Sequence, residues 1–157
     1  MSELSDPSAG YEITTEASHF DLDLIYRYLS EESYWARGIP RAVVERSIRH
    51  SLCFAILESA TGAQVCFARV TTDRATFAYL ADVFVLPAHR GRGLSKWLMQ
   101  TILAHPELKG LRRWMLATRD AHGLYAEFGF TAIPQPERFM QLHDPGVYVS
   151  RLDLGKE

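Results

Sequence analysis

Apolar and polar positions alternate along this chain with two periods. A period near 3.6 marks residues 18–30, where Leu22, Ile25, Tyr26 and Leu29 share one face and Asp21 and Asp23 sit in the first turn. It recurs in residues 40–51 behind Pro40, with Val44, Ser47, Ile48 and Ser51 on the inner face. It recurs again in 94–104 (Leu94, Trp97, Leu98, Ile102) and in 121–128 (Ala121, Leu124, Tyr125, Phe128), which Gly129 closes. Runs of strand length and β-forming composition occupy residues 11–16, 52–57, 64–71, 77–85, 112–118 and 130–133. Ser59-Ala60-Thr61-Gly62 and Thr72-Asp73-Arg74-Ala75 are turn chemistry, so residues 52–85 read as three antiparallel strands in series. Residues 138–142 and 147–152 are also strand-like, and the pattern leaves open which of them pairs with 130–133. The order β α α β β β α β α β β predicts an α/β fold of mixed α+β layers, with a mainly antiparallel twisted sheet of about seven strands and about four flanking helices. One domain over residues 1–157 is expected, with residues 1–10 as a flexible lead-in.

The stretch 82–100 stands out within this pattern. An apolar strand is broken only by Asp82 and ended by Pro87, which has no N–H for a ladder bond. A basic turn, His89-Arg90-Gly91-Arg92-Gly93, then opens an amphipathic helix. A helix N-terminus presents unsatisfied N–H groups and the positive end of the dipole, which together favour an anion. Gly91 and Gly93 allow positive φ and close approach of a ligand, and Arg90 and Arg92 add positive charge. By themselves the glycines read as turn residues and the arginines as a solvated surface.

Composition narrows the picture. Hydrophobic residues make up 47% of the 157 and charged residues 23%, ordinary for a globular protein with a sizeable core. The net charge of −2 argues against general nucleic-acid binding, and no apolar run reaches membrane-span length. Polar residues 1–10 do not resemble a secretory signal. Cys53 and Cys66 lie in apolar stretches and read as buried reduced thiols of a cytoplasmic protein. The six histidines are scattered, so no metal site is expected.

Two motifs then carry a resemblance. Val85-Leu86-Pro87 followed by Arg90-Gly91-Arg92-Gly93-Leu94-Ser95 is similar to the pyrophosphate loop of the GNAT superfamily of acyl-CoA-dependent N-acetyltransferases, Arg/Gln-x-x-Gly-x-Gly/Ala after a strand. Ser95 departs from the Gly/Ala of that loop, yet serine is small and its hydroxyl donates. Leu124-Tyr125-Ala126-Glu127-Phe128-Gly129-Phe130 resembles the superfamily's Phe-Tyr-x-x-x-Gly-Phe. The element order agrees as well, and the resemblance covers roughly residues 11–133. Asp120 stands about where many members carry an asparagine on the pantetheine arm. It is read as a cofactor contact, a substrate contact or a helix cap, and a carboxylate accepts where an amide donates.

The resemblance implies acetyl-CoA as cosubstrate, no metal, and direct attack of a primary amine of a small-molecule acceptor on the thioester. The cofactor would be held by Arg90, Gly91, Arg92, Gly93, Leu94, Ser95 and Asp120, with backbone at Phe84 and Val85 near the thioester carbonyl. Tyr125 is the implied acid for the leaving thiolate. A primary amine has a pKa of about 10.4 and must lose a proton first. Asp82, the acid inside the central strand, is either that base or a core aspartate bonded to backbone or arginine; Glu31 and Glu32 are further candidates. Tyr34 and Trp35, beside Glu32, either wall the acceptor pocket or cover the core. His122 either faces the cleft or the solvent. Neither nucleic acid nor membrane is an expected partner, and a homodimer is frequent in the superfamily. Acetylation of protein amines, and an acyl-CoA sensor without turnover, are the competing functions.

Overall fold

In a computed structural model, residues 6–149 of the chain are described, and the architecture concerns these. Strands β1 (Tyr11–Thr14), β2 (Leu52–Glu58), β3 (Gln64–Thr72), β4 (Phe77–Val85) and β5 (Arg113–Leu116) form one sheet in that order. The joins β1–β2, β2–β3 and β3–β4 are antiparallel, while β4–β5 is parallel. The parallel join needs a crossover, and α3 (Leu94–Ala104) supplies it.

Both faces of the sheet are covered, so β2 and β3 read as continuous apolar runs instead of alternating ones. On one face Phe54, Ile56, Cys66, Ala68, Val70 and Leu80 pack against Leu94, Leu98, Met99 and Ile102 of α3. On the other, Cys53, Phe67 and Phe84 meet Ile25 and Leu29 and the buried face of α2 (Arg41–Arg49), Val44 and Ile48. The cysteines therefore lie on opposite faces as free buried thiols. Burial pushes both up to about 12, so they stay protonated at neutral pH.

The first predicted helix is in fact three pieces. A 3-10 turn (Ala17–His19) precedes α1 (Leu22–Arg27), and a π-turn (Tyr28–Glu32) follows it. Asp21 breaks the run because its carboxylate accepts from the Leu24 N–H, capping α1 at 3.0 Å. Residues 6–10 form a turn, with the Asp6 side chain accepting from Ser8; residues 1–5 of the expected lead-in lie outside the described residues.

Five strands are present among the described residues where about seven were predicted. Residues 130–133 and 138–142 form no strand, and 147–149 are helical; 150–152 lie outside the described residues. Pro134 and Pro136 restrict both themselves and the residues before them, so the turn that would fold 138–142 back on 130–133 does not form.

The β3–β4 turn is held by Asp73, whose Oδ1 accepts from the N–H groups of Ala75, Thr76 and Phe77. The Thr76 hydroxyl and these N–H groups hold the carboxyl well below its usual 3.8. A depressed folded pKa adds stability above the unfolded value that is lost as the pH falls below it. Asp73→Asn should therefore flatten the fall in stability of the parent protein below about pH 4, as read in urea unfolding at stepped pH.

Candidate active site

β4 carries a β-bulge. Phe67 pairs with Phe84 and Arg69 with Ala81, so Asp82 and Val83 together oppose Ala68. Asp82 takes φ 55, a left-handed conformation unusual for a non-glycine residue. The extra residue reverses the parity of the strand. Leu80 points toward α3, whereas Phe84, four residues on, points toward α1 and α2.

The bulge sets the direction of the backbone beyond it. The Leu86 N–H donates to the Val65 carbonyl at 2.9 Å, so 86 and 65 are a hydrogen-bonded pair and 85 and 66 are not. The N–H and C=O of Val85 therefore turn away from β3. Its carbonyl accepts from Arg90 Nε at 2.9 Å. Its N–H points toward β5, which pairs with β4 only over residues 77–80. Phe84 does not share this role: its ring is buried and stacks on Tyr28 at 4.0 Å, and its N–H belongs to the β3 side.

Where β4 and β5 part, a cleft of about 490 Å³ opens, lined by Tyr34, Trp35, Asp82, Val83, Asp120 and Tyr125 among others. Asp82 is buried, and both of its oxygens are engaged. Trp35 Nε1 donates to Oδ1 at 2.8 Å and Arg69 Nε to Oδ2 at 2.7 Å. The reading of Asp82 as an acid paired with arginine is thus met, while the carboxylate still lines the cleft. Asp82→Asn removes the charge opposite Arg69 and should cost about 2 kcal/mol in urea unfolding at pH 7.

Tyr34 and Trp35 stand on a loop that the buried Ser33 anchors: its hydroxyl donates to the Leu29 carbonyl and accepts from the Ala36 N–H. The Tyr34 hydroxyl accepts from the Arg119 N–H at 3.0 Å, and the Arg119 guanidinium lies 4.0 Å from the centre of its ring. This latch joins the loop after α1 to the loop after β5 across the cleft. Glu32 does not take part, because the π-turn carries it and Glu31 into solvent.

Tyr125 belongs to α4 (His122–Ala126) and is buried, yet its hydroxyl has no hydrogen-bond partner among the described residues. Burial raises the phenol above its ordinary value, with Tyr34 and Cys66 adding to the shift. Asp120 lines the cleft and does not cap α4; the Thr118 hydroxyl accepts from the Ala121 N–H instead. His122 lies outside this cleft, along a second cavity behind β5 that Tyr125 also borders. The helical step from 122 to 125 places it there.

A further hollow of about 240 Å³ lies at the start of α3, lined by Val85, His89, Arg90, Gly91, Gly93, Leu94, Ser95, Lys96 and Leu124. No side chain caps α3, so its first N–H groups, at Leu94, Ser95 and Lys96, are open to a ligand. Gly93 holds φ 79 at the N-cap, and space for a Cβ there ends 3.6 Å from Pro7. The Leu94 side chain is buried in the core, so only its backbone serves the hollow. The arginines are less free than their sequence positions suggest. Arg90 clips the end of β4 and donates to the Tyr28 hydroxyl at 3.2 Å. Arg92 is not part of the lining and donates to the Tyr11 hydroxyl, which in turn bonds His89. Lys96, missed in the sequence, supplies a cation in the first turn of α3, paired with Glu127 at 3.1 Å. Its spacing of three from Gly93 was the available signal.

The sequence profile of the acetyltransferase (GNAT) family matches residues 22–130. The chain belongs to the GNAT family. A GNAT-family protein from Xanthomonas campestris pv. campestris is 55% identical, with a TM-score of 0.84 over 88% of this chain and 96% of that one. A protein named as an acetyltransferase in Gibberella zeae is 31% identical over 74% of this chain and 76% of its own. The glucosamine-6-phosphate N-acetyltransferase of Arabidopsis thaliana shares the GNAT fold, with a TM-score of 0.62 at 15% identity over 85% of this chain and 97% of that one. The protein is thus an acetyltransferase of GNAT type, and the splayed strands and the open N-terminus of α3 are parts of a GNAT fold. No helix among the described residues is long and apolar enough to cross a membrane.

Proposed function

We propose that the chain, acting as one catalytic domain, is a cytoplasmic N-acetyltransferase that moves an acetyl group from acetyl-CoA to a primary amine of a small molecule. One alignment carries this reading. Val85 borders the hollow into which the N–H groups of α3 open, and Val83 borders the cleft that Tyr125 lines, so hollow and cleft follow one another along the end of β4. An elongated ligand with an anion at one end and a reactive carbonyl further along fits that order. The donor set suits a diphosphate: free N–H groups, a helix dipole, and the cations Arg90 and Lys96.

Acetyl-CoA, when bound, supplies the acetyl thioester. The N–H groups of Leu94, Ser95 and Lys96 would hold the diphosphate, and Arg90 fixes the strand end on which the rest depends. The Val85 N–H, turned away from β3, would stabilise charge developing on the carbonyl oxygen; such a donor is worth about 3 kcal/mol. Asp82 meets the ammonium group of the acceptor and would take one proton from it before the neutral amine attacks. Its bonds to Arg69 and Trp35 fix it in place and leave lone pairs toward the cleft. The Tyr125 hydroxyl would donate to the departing sulfur.

The latch of Tyr34 and Arg119 favours a small acceptor over a protein. It ties the two sides of the cleft together and sets the Arg119 cation in its lining. An amino-acid-like acceptor matches Asp82 with its ammonium and Arg119 with its carboxylate. Partners in this reading are the amine and a second copy of the chain.

Thermal unfolding tests the first part: millimolar CoA should raise the midpoint by several degrees, and an unchanged midpoint overturns the reading. An amine panel scored by release of free thiol tests the second. Turnover with amino acids or small polyamines is expected; turnover with lysine peptides alone would place the protein among the protein acetyltransferases.

A further inference from the structure

The segment that leads into β1 lies against the basic turn before α3. Pro7 comes within 3.6 Å of the place a Cβ on Gly93 would take. Further on, the Tyr11 hydroxyl meets two side chains of the turn. Arg92 Nη1 donates to it at 3.0 Å, and His89 Nδ1 lies 2.8 Å from it. The Tyr11 and His89 rings stand edge to face, with centroids 5.8 Å apart at 85°. Tyr11 lies outside residues 22–130, which the GNAT family profile matches. The relay from Arg92 through Tyr11 to His89 is thus built partly on a residue beyond that match.

The chemistry of the three groups assigns the protons. A guanidinium only donates, so the Tyr11 oxygen accepts from Arg92 and its own proton is left for another acceptor. A charge-assisted bond to the oxygen polarises the hydroxyl and makes it a stronger donor. Among the described residues, the acceptor within its range is His89 Nδ1. In a neutral imidazole the nitrogen that accepts is bare, so the ring proton sits on Nε2. The opposite tautomer would aim an Nδ1–H at an oxygen already bonded to Arg92 and leave the phenolic proton without an acceptor. Nε2 has no partner among the described residues, and His89 lines the hollow at the start of α3. The N–H groups and the Lys96 ammonium found there belong to α3, whereas His89 stands before the glycine turn.

We propose that His89 is a further binding residue of the cofactor site: its Nε2–H donates to a phosphate oxygen of CoA, and Tyr11 and Arg92 are positioning residues that fix the ring and its tautomer. The proposal rests on the acetyl-CoA reading above. It gives Arg92 a task that its place outside the hollow otherwise denies it, since the guanidinium acts on the phosphate through Tyr11 and His89. CoA offers two kinds of phosphate, the diphosphate and the 3′-phosphate of the ribose, and dephospho-CoA carries only the first.

Calorimetric titration of the full chain with CoA and with dephospho-CoA tests this. His89→Phe keeps a ring against Tyr11 and removes the donor, and it should raise the Kd for CoA about tenfold. An equal loss with dephospho-CoA assigns the contact to the diphosphate; a loss with CoA alone assigns it to the 3′-phosphate. Tyr11→Phe should raise the Kd about threefold in the parent and leave it unchanged in the His89→Phe background, because its effect passes through the histidine. Additive losses overturn the positioning role of Tyr11. Imidazole nitrogen NMR, at a pH where the ring is neutral, reads the tautomer without any ligand. Nε2 of His89 should carry the proton, and its signal should move on addition of CoA. A proton on Nδ1 overturns the proposal, as does a His89→Phe variant with the Kd of a parent that binds CoA; in both cases the acetyl-CoA reading stands. A parent that binds no CoA removes that reading and this proposal with it.

Discussion

Gly93→Glu should abolish the thermal stabilisation that millimolar CoA gives the parent protein. Two effects act together at this position. Gly93 sits at φ 79, where any residue with a Cβ is strained by about 1 kcal/mol. That strain lowers stability without blocking the ligand. The larger effect is electrostatic: the new carboxylate stands at the mouth of the α3 N-terminus and takes the place of the anion. A repelled diphosphate and a self-filled helix end should weaken CoA by about 100-fold or more, roughly 3 kcal/mol. Gly93→Ala separates the two effects. It carries the strain but not the charge, so its CoA-induced shift should survive while its own melting point drops. If the glutamate variant kept the full shift, the diphosphate would lie elsewhere.

Tyr125→Phe should lower kcat by about 100-fold while leaving the CoA-induced thermal shift and the KM for acetyl-CoA near parental values. The ring is buried and packs edge-on against Phe130 with centroids 5.9 Å apart, and phenylalanine keeps that packing. Only the hydroxyl is removed, and it has no other bond within the described residues. The pH profile sharpens the test. Burial raises the phenol above its ordinary 10.0, so it stays protonated and competent at every pH below that. Its contribution is lost only as the pH rises through the raised value. A fall in the parental rate between pH 7 and 9 therefore belongs to another group. The reference gap between a phenol and a thiol, about 1.5 units, widens with this shift. A strong hydrogen bond to the sulfur is then the favoured form of assistance, ahead of full proton transfer. An unchanged kcat in the phenylalanine variant would remove Tyr125 from the mechanism.

The central strand and the helix after it were legible to the residue in the sequence, because Pro87 and the glycine turn bound two strongly patterned segments. The burial of Cys53 and Cys66 was legible through their apolar surroundings, and the helix that carries Tyr125 to the cleft through its motif. Other features depend on distant partners. The side chains of Arg90 and Arg92 are directed by Tyr28 and Tyr11, which lie 62 and 81 residues away in the chain. The latch between Tyr34 and Arg119 spans 85 residues and left no local pattern. The bulge at Asp82 left none either: residues 77–86 are apolar but for that one acid, and the change of face between buried Leu80 and buried Phe84 comes from the fold. Glu32 and His122 were placed in the cleft by proximity in sequence, and the π-turn and the helical step of α4 put them elsewhere. Residues 130–133 and 138–142 were over-read, because β-propensity is expressed only once a segment is paired, and neither pairs with a strand among the described residues.

The bulge also implies an asymmetry in the kinds of change β4 tolerates. Replacing a side chain at position 82 alters one ion pair and one indole contact. Losing the left-handed conformation there, so that Asp82 alone opposed Ala68, would instead restore a regular strand at the same length and shift every later residue by one place. Phe84 would oppose Cys66 and leave its place against Tyr28, and the Val85 N–H would point back at β3. A straightened β4 would keep Tyr125, the glycine turn and every proposed cofactor-holding residue, yet have no donor facing the reacting carbonyl. Among relatives of this protein, the left-handed backbone at this position should therefore be more constrained than the charge it carries.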